Sequence, residues 1–147
     1  WLSYGSVTVR MKSGVAPGLV VSAILINQEG DEQDFELTGG HPGGRVAEGN
    51  YYYDGILEYN VNKRESPEYP LTEKFNDYTL SWLPDRMDWS INGNTYYTKL
   101  RNDTWDPQMR AFRFPYRTMK FQMGMWDAAQ GEPSTRAWAG GYIDWKA

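Results

Sequence analysis

Residues 19–38 read LVVSAILINQEGDEQDFELT, and the reading of the fold turns on them. Leu19 to Ile26 is a near-continuous apolar run with several β-branched side chains, as expected of a central strand buried on both faces. Polar residues and Gly30 then mark a turn at 27–30. Residues 31–38 alternate, and in a strand residues two apart point the same way. Gln33, Phe35 and Leu37 therefore share one face, and Glu32, Asp34 and Glu36 stand in a row on the other.

The pattern extends outward. Residues 6–13 alternate Val7, Val9 and Met11 against Thr8, Arg10 and Lys12, and Ala16-Pro17-Gly18 breaks the run. Residues 39–44 form a Gly/Pro loop that holds the single histidine, His41, to which no role is assigned. Strands are expected at 45–53 and 56–61 around Asp54-Gly55, a loop at 62–74, and strands at 78–83 and 87–91. Asn92-Gly93 is the signal of a tight hairpin into 95–100. Residues 102–116 read as irregular. Residues 120–126 alternate Phe121, Met123 and Met125 against Lys120, Gln122 and Gly124. A loop at 128–135 and a last strand-like piece at 137–145 complete the chain. No segment longer than a turn or two has helical periodicity, so the class is all-β, a sandwich or jelly roll.

With 147 residues the chain is long enough for one domain with a substantial core. Aromatics make up 16%, yet the mean hydropathy is −0.70, so some of the rings are expected at a surface or in a groove rather than in the core. Net charge is −4 with no basic run, which argues against nucleic acid as partner. No stretch is long and apolar enough to span a membrane. There is no cysteine to report on the redox compartment. Asn102-Asp103-Thr104 is an N-glycosylation acceptor pattern and leans toward a secreted protein.

The row of acids carries the chemistry. Like charges stacked on a sheet destabilise it, and a strand that also carries Phe35 and Leu37 is a poor surface edge. Four residues of strand rise put the Glu32 and Glu36 backbones roughly 13 Å apart. On a concave sheet, with each side chain leaning inward, the carboxyl groups come to about 5 Å, the separation of a retaining glycosidase. Asp34 lies between them and can hydrogen-bond one, separating their proton affinities. A calcium site and a solvated acidic stripe are the other readings of this spacing.

The same residues resemble a known family. Glu32-Gln33-Asp34-Phe35-Glu36 is similar to the Glu-x-Asp-x-Glu signature of glycoside hydrolase family sixteen, in the form of its licheninase, xyloglucan and fungal Crh-type branches. Tyr4-Gly5, Gly39-Gly40, Asn50-Tyr51-Tyr52, residues 75–82, Trp89-Ser90-Ile91-Asn92-Gly93, Met123-Gly124-Met125-Trp126 and Trp138-Ala139-Gly140-Gly141 resemble further family segments in the right order over nearly the whole chain. The resemblance implies a concanavalin-like jelly-roll β-sandwich with a concave substrate groove. It implies Glu32 as nucleophile, Asp34 as helper and Glu36 as acid/base. Asn50, Tyr52, Trp126 and Trp138 would bind substrate, the two tryptophans as sugar platforms. No cofactor or metal is implied. The partner would be a cell-wall polysaccharide, β-glucan or chitin-glucan, and the location secreted or in the cell wall.

Two features depart from the family pattern. Gln33 stands where a branched apolar residue is usual, facing the layer behind the acids, where an amide needs partners. The chain also looks short for the family, so the expectation is one domain over 1–147 truncated at both ends, with association with another chain if outer strands are missing. The function expected is a retaining hydrolase or transglycosylase. The rival is a carbohydrate-binding or structural homologue without activity.

Overall fold

The computed structural model describes residues 1–40, 44–57, 68–146 and the backbone of 63–65. His41 and most of the expected strand at 56–61 lie outside the described residues. Twelve strands are present among those described: β1 Gly5–Met11, β2 Leu19–Ile26, β3 Glu32–Leu37, β4 Ala47–Tyr53, β5 Ile56–Leu57, β6 Lys63–Glu65, β7 Asn76–Trp82, β8 Arg86–Ile91, β9 Asn94–Leu100, β10 Trp105–Asp106, β11 Ala111–Phe112 and β12 Lys120–Asp127. One sheet runs β12-β2-β3-β4-β5, with β6 beside β4, and the other runs β1-β7-β8-β9. The two pack as a β-sandwich.

The alternation read from the sequence is what fills the interface. Val21, Ala23 and Leu25 of β2, Phe35 and Leu37 of β3 and Tyr51 of β4 meet Tyr78, Leu80 and Trp82 of β7 and Met87, Trp89 and Ile91 of β8 in one buried cluster. Burying each large apolar side chain contributes about 2 kcal/mol. Asn92 and Gly93, with φ of 51° and 80°, make the two-residue turn between β8 and β9. Asp54 and Gly55, at 52° and 73°, do the same between β4 and β5.

Gln33 points into this interface, as expected, and its amide N–H groups find acceptors there. Its Nε2 donates to the carbonyl oxygens of Ser81 (3.3 Å) and Asp88 (3.0 Å). Ser81 and Asp88 are opposite each other in the β7–β8 ladder, so one amide staples β3 to two strands of the other sheet. Its Oε1 is buried without a hydrogen-bond partner, a cost that offsets much of the gain. A second staple is Trp89 Nε1, which donates to the Asp34 carbonyl at 2.7 Å. Gly49 makes room for that indole, because a Cβ there would lie 2.4 Å from Trp89 Cδ1.

Three expectations are corrected. Residues 137–145 hold no strand, since Pro133–Trp138 is a short helix, α1, that runs into the turn at Gly140 and Gly141. Pro133 opens it at the first helical position, where a missing N–H costs nothing. Six residues are too few to display a helical period, so the small/aromatic alternation of Ala137 to Tyr142 imitates a strand. Within 62–74, residues 63–65 form β6 against β4. The irregular stretch 102–116 holds the small β10–β11 ladder.

β12 lies at the edge of its sheet, and its apolar trio is not covered. Phe121, Met123 and Met125 are 38%, 53% and 72% exposed. Their backbones pair with Leu25, Ala23 and Val21, whose side chains are buried by the second sheet.

Candidate active site

The acids lie on the face of β3 turned away from the core. β4 runs on one side and places Tyr52, Asn50 and Glu48 opposite Glu32, Asp34 and Glu36. β2 runs on the other and places Ile26, Ile24 and Ser22 opposite the same three. Beyond β2, the same face of β12 carries Gln122, Gly124 and Trp126. At one end of this face α1 packs down, with Ala128, Ala139 and Trp138 covering Val20. Asp34, in the middle of the row, is only 2% exposed.

Burial sets the protonation states. Asp34 is pushed well above the ordinary carboxylate range, first by desolvation and then by the charges of Glu36 and Glu32. Asp34 is hydrogen-bonded to Glu32, and that bond adds to the rise at Asp34 while opposing the rise at Glu32. Its Oδ1 accepts from the Asn50 N–H at 3.0 Å, which fixes the carboxyl group on β4. Glu32 is raised by burial, and the Asp34 bond works against that rise by stabilising its charged form. Glu36 is pushed up to about 7, chiefly by desolvation, then by the charges of Glu32 and Glu48, with a hydrogen bond to Trp126 opposing. All three acids of the row are thus raised; the Asp34 bond opposes the rise at Glu32, while Glu36, at about 7, retains its proton to near neutrality, as a proton donor requires.

The start of β3 is held by a separate cluster. Asp31, fully buried, accepts from Arg117 Nε at 2.9 Å and Nη2 at 2.6 Å, and from the backbone N–H groups of Tyr116, Arg117 and Asp54. Arg117 also bonds Asp54 in the β4–β5 turn. This fork ties the strand entering Glu32 to the neighbouring hairpin.

All seven residues singled out in the sequence fall on this face or over it. Glu32, Asp34 and Glu36 are together on β3, Asn50 and Tyr52 are on β4, and Trp126 is on β12. Trp138 reaches the site from α1 rather than from a strand. The Trp126 and Trp138 rings stack, with centroids 6.1 Å apart and planes at 26°. Trp138 Nε1 donates to Glu48 Oε1 at 2.9 Å. Sequence reading assigned no role to Glu48, although alternation on β4 puts it on the face of Asn50 and Tyr52. It also missed Asp31 and Arg117, which are 86 residues apart and share no local pattern.

Among the described residues, no group of three or more His, Cys, Asp or Glu side chains is arranged to hold a metal ion. A hollow of about 410 Å³ lined by Tyr51, Lys99, Trp105, Asp106 and Arg113, among others, contains none of Glu32, Asp34 and Glu36 and lies apart from this chemistry. No helix among the described residues is long and apolar enough to cross a membrane.

Comparison with known proteins agrees with the geometry. The sequence model of the family described as glycosyl hydrolases family 16 matches residues 2–147. The chain is 36% identical over 145 residues to "Probable glycosidase CRR1" of Saccharomyces cerevisiae, covering 97% of this chain and 34% of that protein. It is 32% identical over 148 residues to "Crh-like protein 2" of Aspergillus fumigatus, covering 99% and 33%. The chain thus spans about a third of the length of these curated relatives. Among solved structures it is similar to an apo Crh5 transglycosylase, with TM-score 0.86 and 29% identity over 97% of this chain and 57% of that one. A Bacillus licheniformis β-glucanase shares the fold, with TM-score 0.78 at 22% identity over 97% of this chain and 60% of that one.

Proposed function

Because the chain belongs to glycosyl hydrolases family 16, we propose that it is a retaining β-glycan hydrolase or transglycosylase that acts on cell-wall polysaccharide outside the cell. The observation that carries this reading is the geometry of the row, with Glu32, Asp34 and Glu36 side by side on one face of β3, Asp34 hydrogen-bonded to Glu32, and Glu36 raised by burial and its neighbours to about 7. In the first step the Glu32 carboxylate bonds to the anomeric carbon. The bond to the leaving oxygen breaks, and that oxygen takes the Glu36 proton. In the second step an acceptor O–H gives its proton to Glu36. Its oxygen bonds to the anomeric carbon as the Glu32 ester bond breaks, so two displacements restore the β-configuration. Water as acceptor gives hydrolysis, and a sugar hydroxyl gives transfer. Trp126 and Trp138, with Asn50 and Tyr52 across β3, would hold the glycan.

The reading is tested on a polysaccharide panel with labelled oligosaccharide acceptors. NMR in early turnover is expected to show the β-anomer first. Glu32→Ala is expected to lose activity and regain part of it with azide as an α-glycosyl azide. An α-anomer formed first by the wild-type protein refutes the mechanism. Absence of turnover with retained glycan binding would favour a carbohydrate-binding homologue.

We also propose association with another chain if outer strands are missing, through the exposed stripe of Phe121, Met123 and Met125 on the edge strand. Light scattering that finds only monomer at high concentration would refute self-association.

A further inference from the structure

β4 brings a fourth carboxylate to the row. Glu48 is directly opposite Glu36 in the β3–β4 ladder, and such pairs point to one side with Cβ atoms about 5 Å apart. Glu48 is 3% exposed. Two acids facing each other across strands, one of them fully desolvated, work against sheet stability. The arrangement is held by the tryptophans. Trp138 Nε1 donates to Glu48 at 2.9 Å, Trp126 hydrogen-bonds Glu36, and the two indoles stack on each other. Glu36, Trp126, Trp138 and Glu48 therefore close a ring built from β3, β12, α1 and β4.

We propose that Glu48 is a positioning residue for the acid/base, holding Trp138 over that end of the row and keeping an acidic charge beside Glu36, so that Glu36 enters the first step carrying its proton. This rests on the reading of Glu36 as acid/base.

The other groups around Glu36 explain why a fixed charge is useful. Glu32 and Asp34 stand on its own strand, β2 contributes Ser22, and β12 and α1 contribute the neutral tryptophans. Arg64 of β6 is the register partner of Glu48, one strand further out. Of the two charges that raise Glu36, that of Glu32 disappears when Glu32 becomes the glycosyl ester. Proton affinity at Glu36 then falls at the moment it must accept the acceptor's proton. Glu48 does not react and remains. With burial, which is the larger cause, it maintains the resting affinity, and Glu32 supplies the drop.

The test is Glu48→Gln, which keeps an oxygen for Trp138 Nε1 and removes the charge. Carboxyl ¹³C NMR of glutamate-labelled protein, with Glu36 assigned through Glu36→Gln, gives the Glu36 midpoint without requiring turnover. In Glu48→Gln that midpoint is expected to fall by about one pH unit, the scale of a like charge across a strand. The high-pH limb of kcat/KM is expected to move with it, and Glu48→Asp to stay near wild type on both. A Glu36 midpoint that stays within about 0.3 unit of wild type in Glu48→Gln overturns the proposal. A midpoint that falls while the kcat/KM limb stays fixed overturns the acid/base reading beneath it instead.

Discussion

Replacing Glu36 with Gln should stabilise the protein as pH rises. Glu36 is raised from 4.5 to about 7 by burial and by two neighbouring carboxylates. An acid whose folded pKa exceeds its unfolded one favours the native state fully below the unfolded value, and that contribution is lost as pH climbs through the folded value. The window here runs from about pH 4.5 to pH 7. At about 1.36 kcal/mol per unit the upper bound is near 3 kcal/mol. Coupling to Glu32, which can relax by taking up a proton, reduces it to about 2 kcal/mol. A glutamine keeps the volume and an oxygen for Trp126, so the substitution removes the charge and little else. Urea unfolding followed by tryptophan fluorescence at pH 5 and pH 8 measures the difference. Glu36→Gln is expected to gain about 2 kcal/mol relative to wild type between the two pH values. Stability differences that are equal at pH 5 and pH 8 would show that Glu36 ionises as freely in the fold as in the unfolded chain, and the acid assignment would lose its basis.

Gly49→Ala should cost about 3 kcal/mol in urea unfolding, because its methyl group would displace Trp89 and with it the bond to the Asp34 carbonyl; a loss below about 1 kcal/mol would mean that the indole moves freely. Arg117→Ala should cost about 3 kcal/mol, since it strips the guanidinium from a fully buried Asp31, and an unchanged denaturation midpoint would contradict this. Trp126→Ala should weaken glycan binding tenfold or so while leaving the melting temperature near wild type, as expected for a ring 38% exposed at the site. Unchanged affinity with a large loss of melting temperature would make it a core ring instead.

Sequence alone determined the features that are local. Period-two alternation reflects the steric geometry of an extended chain, so it located Leu19–Ile26, placed the acids on one face of β3 and put Gln33, Phe35 and Leu37 behind them. Asn92-Gly93 located a hairpin because only a few residues accept positive φ. The same local rules failed at α1, which is too short to show its period and whose small/aromatic spacing fits a strand equally well. They also could not sort the aromatics: Trp82 and Trp89 are core while Trp126 and Trp138 stack at the site, and nothing adjacent to each in the chain marks the difference. That choice depends on which strand faces the second sheet. Tertiary structure alone decided three further things. It set Glu48 against Glu36 through the register of β3 and β4, joined Arg117 to Asp31 across 86 residues, and buried Asp34 enough to raise its proton affinity well above that of an ordinary carboxylate. Register and desolvation are properties of the assembled sandwich, so the chain encodes which groups can ionise while only its packing determines which of them do.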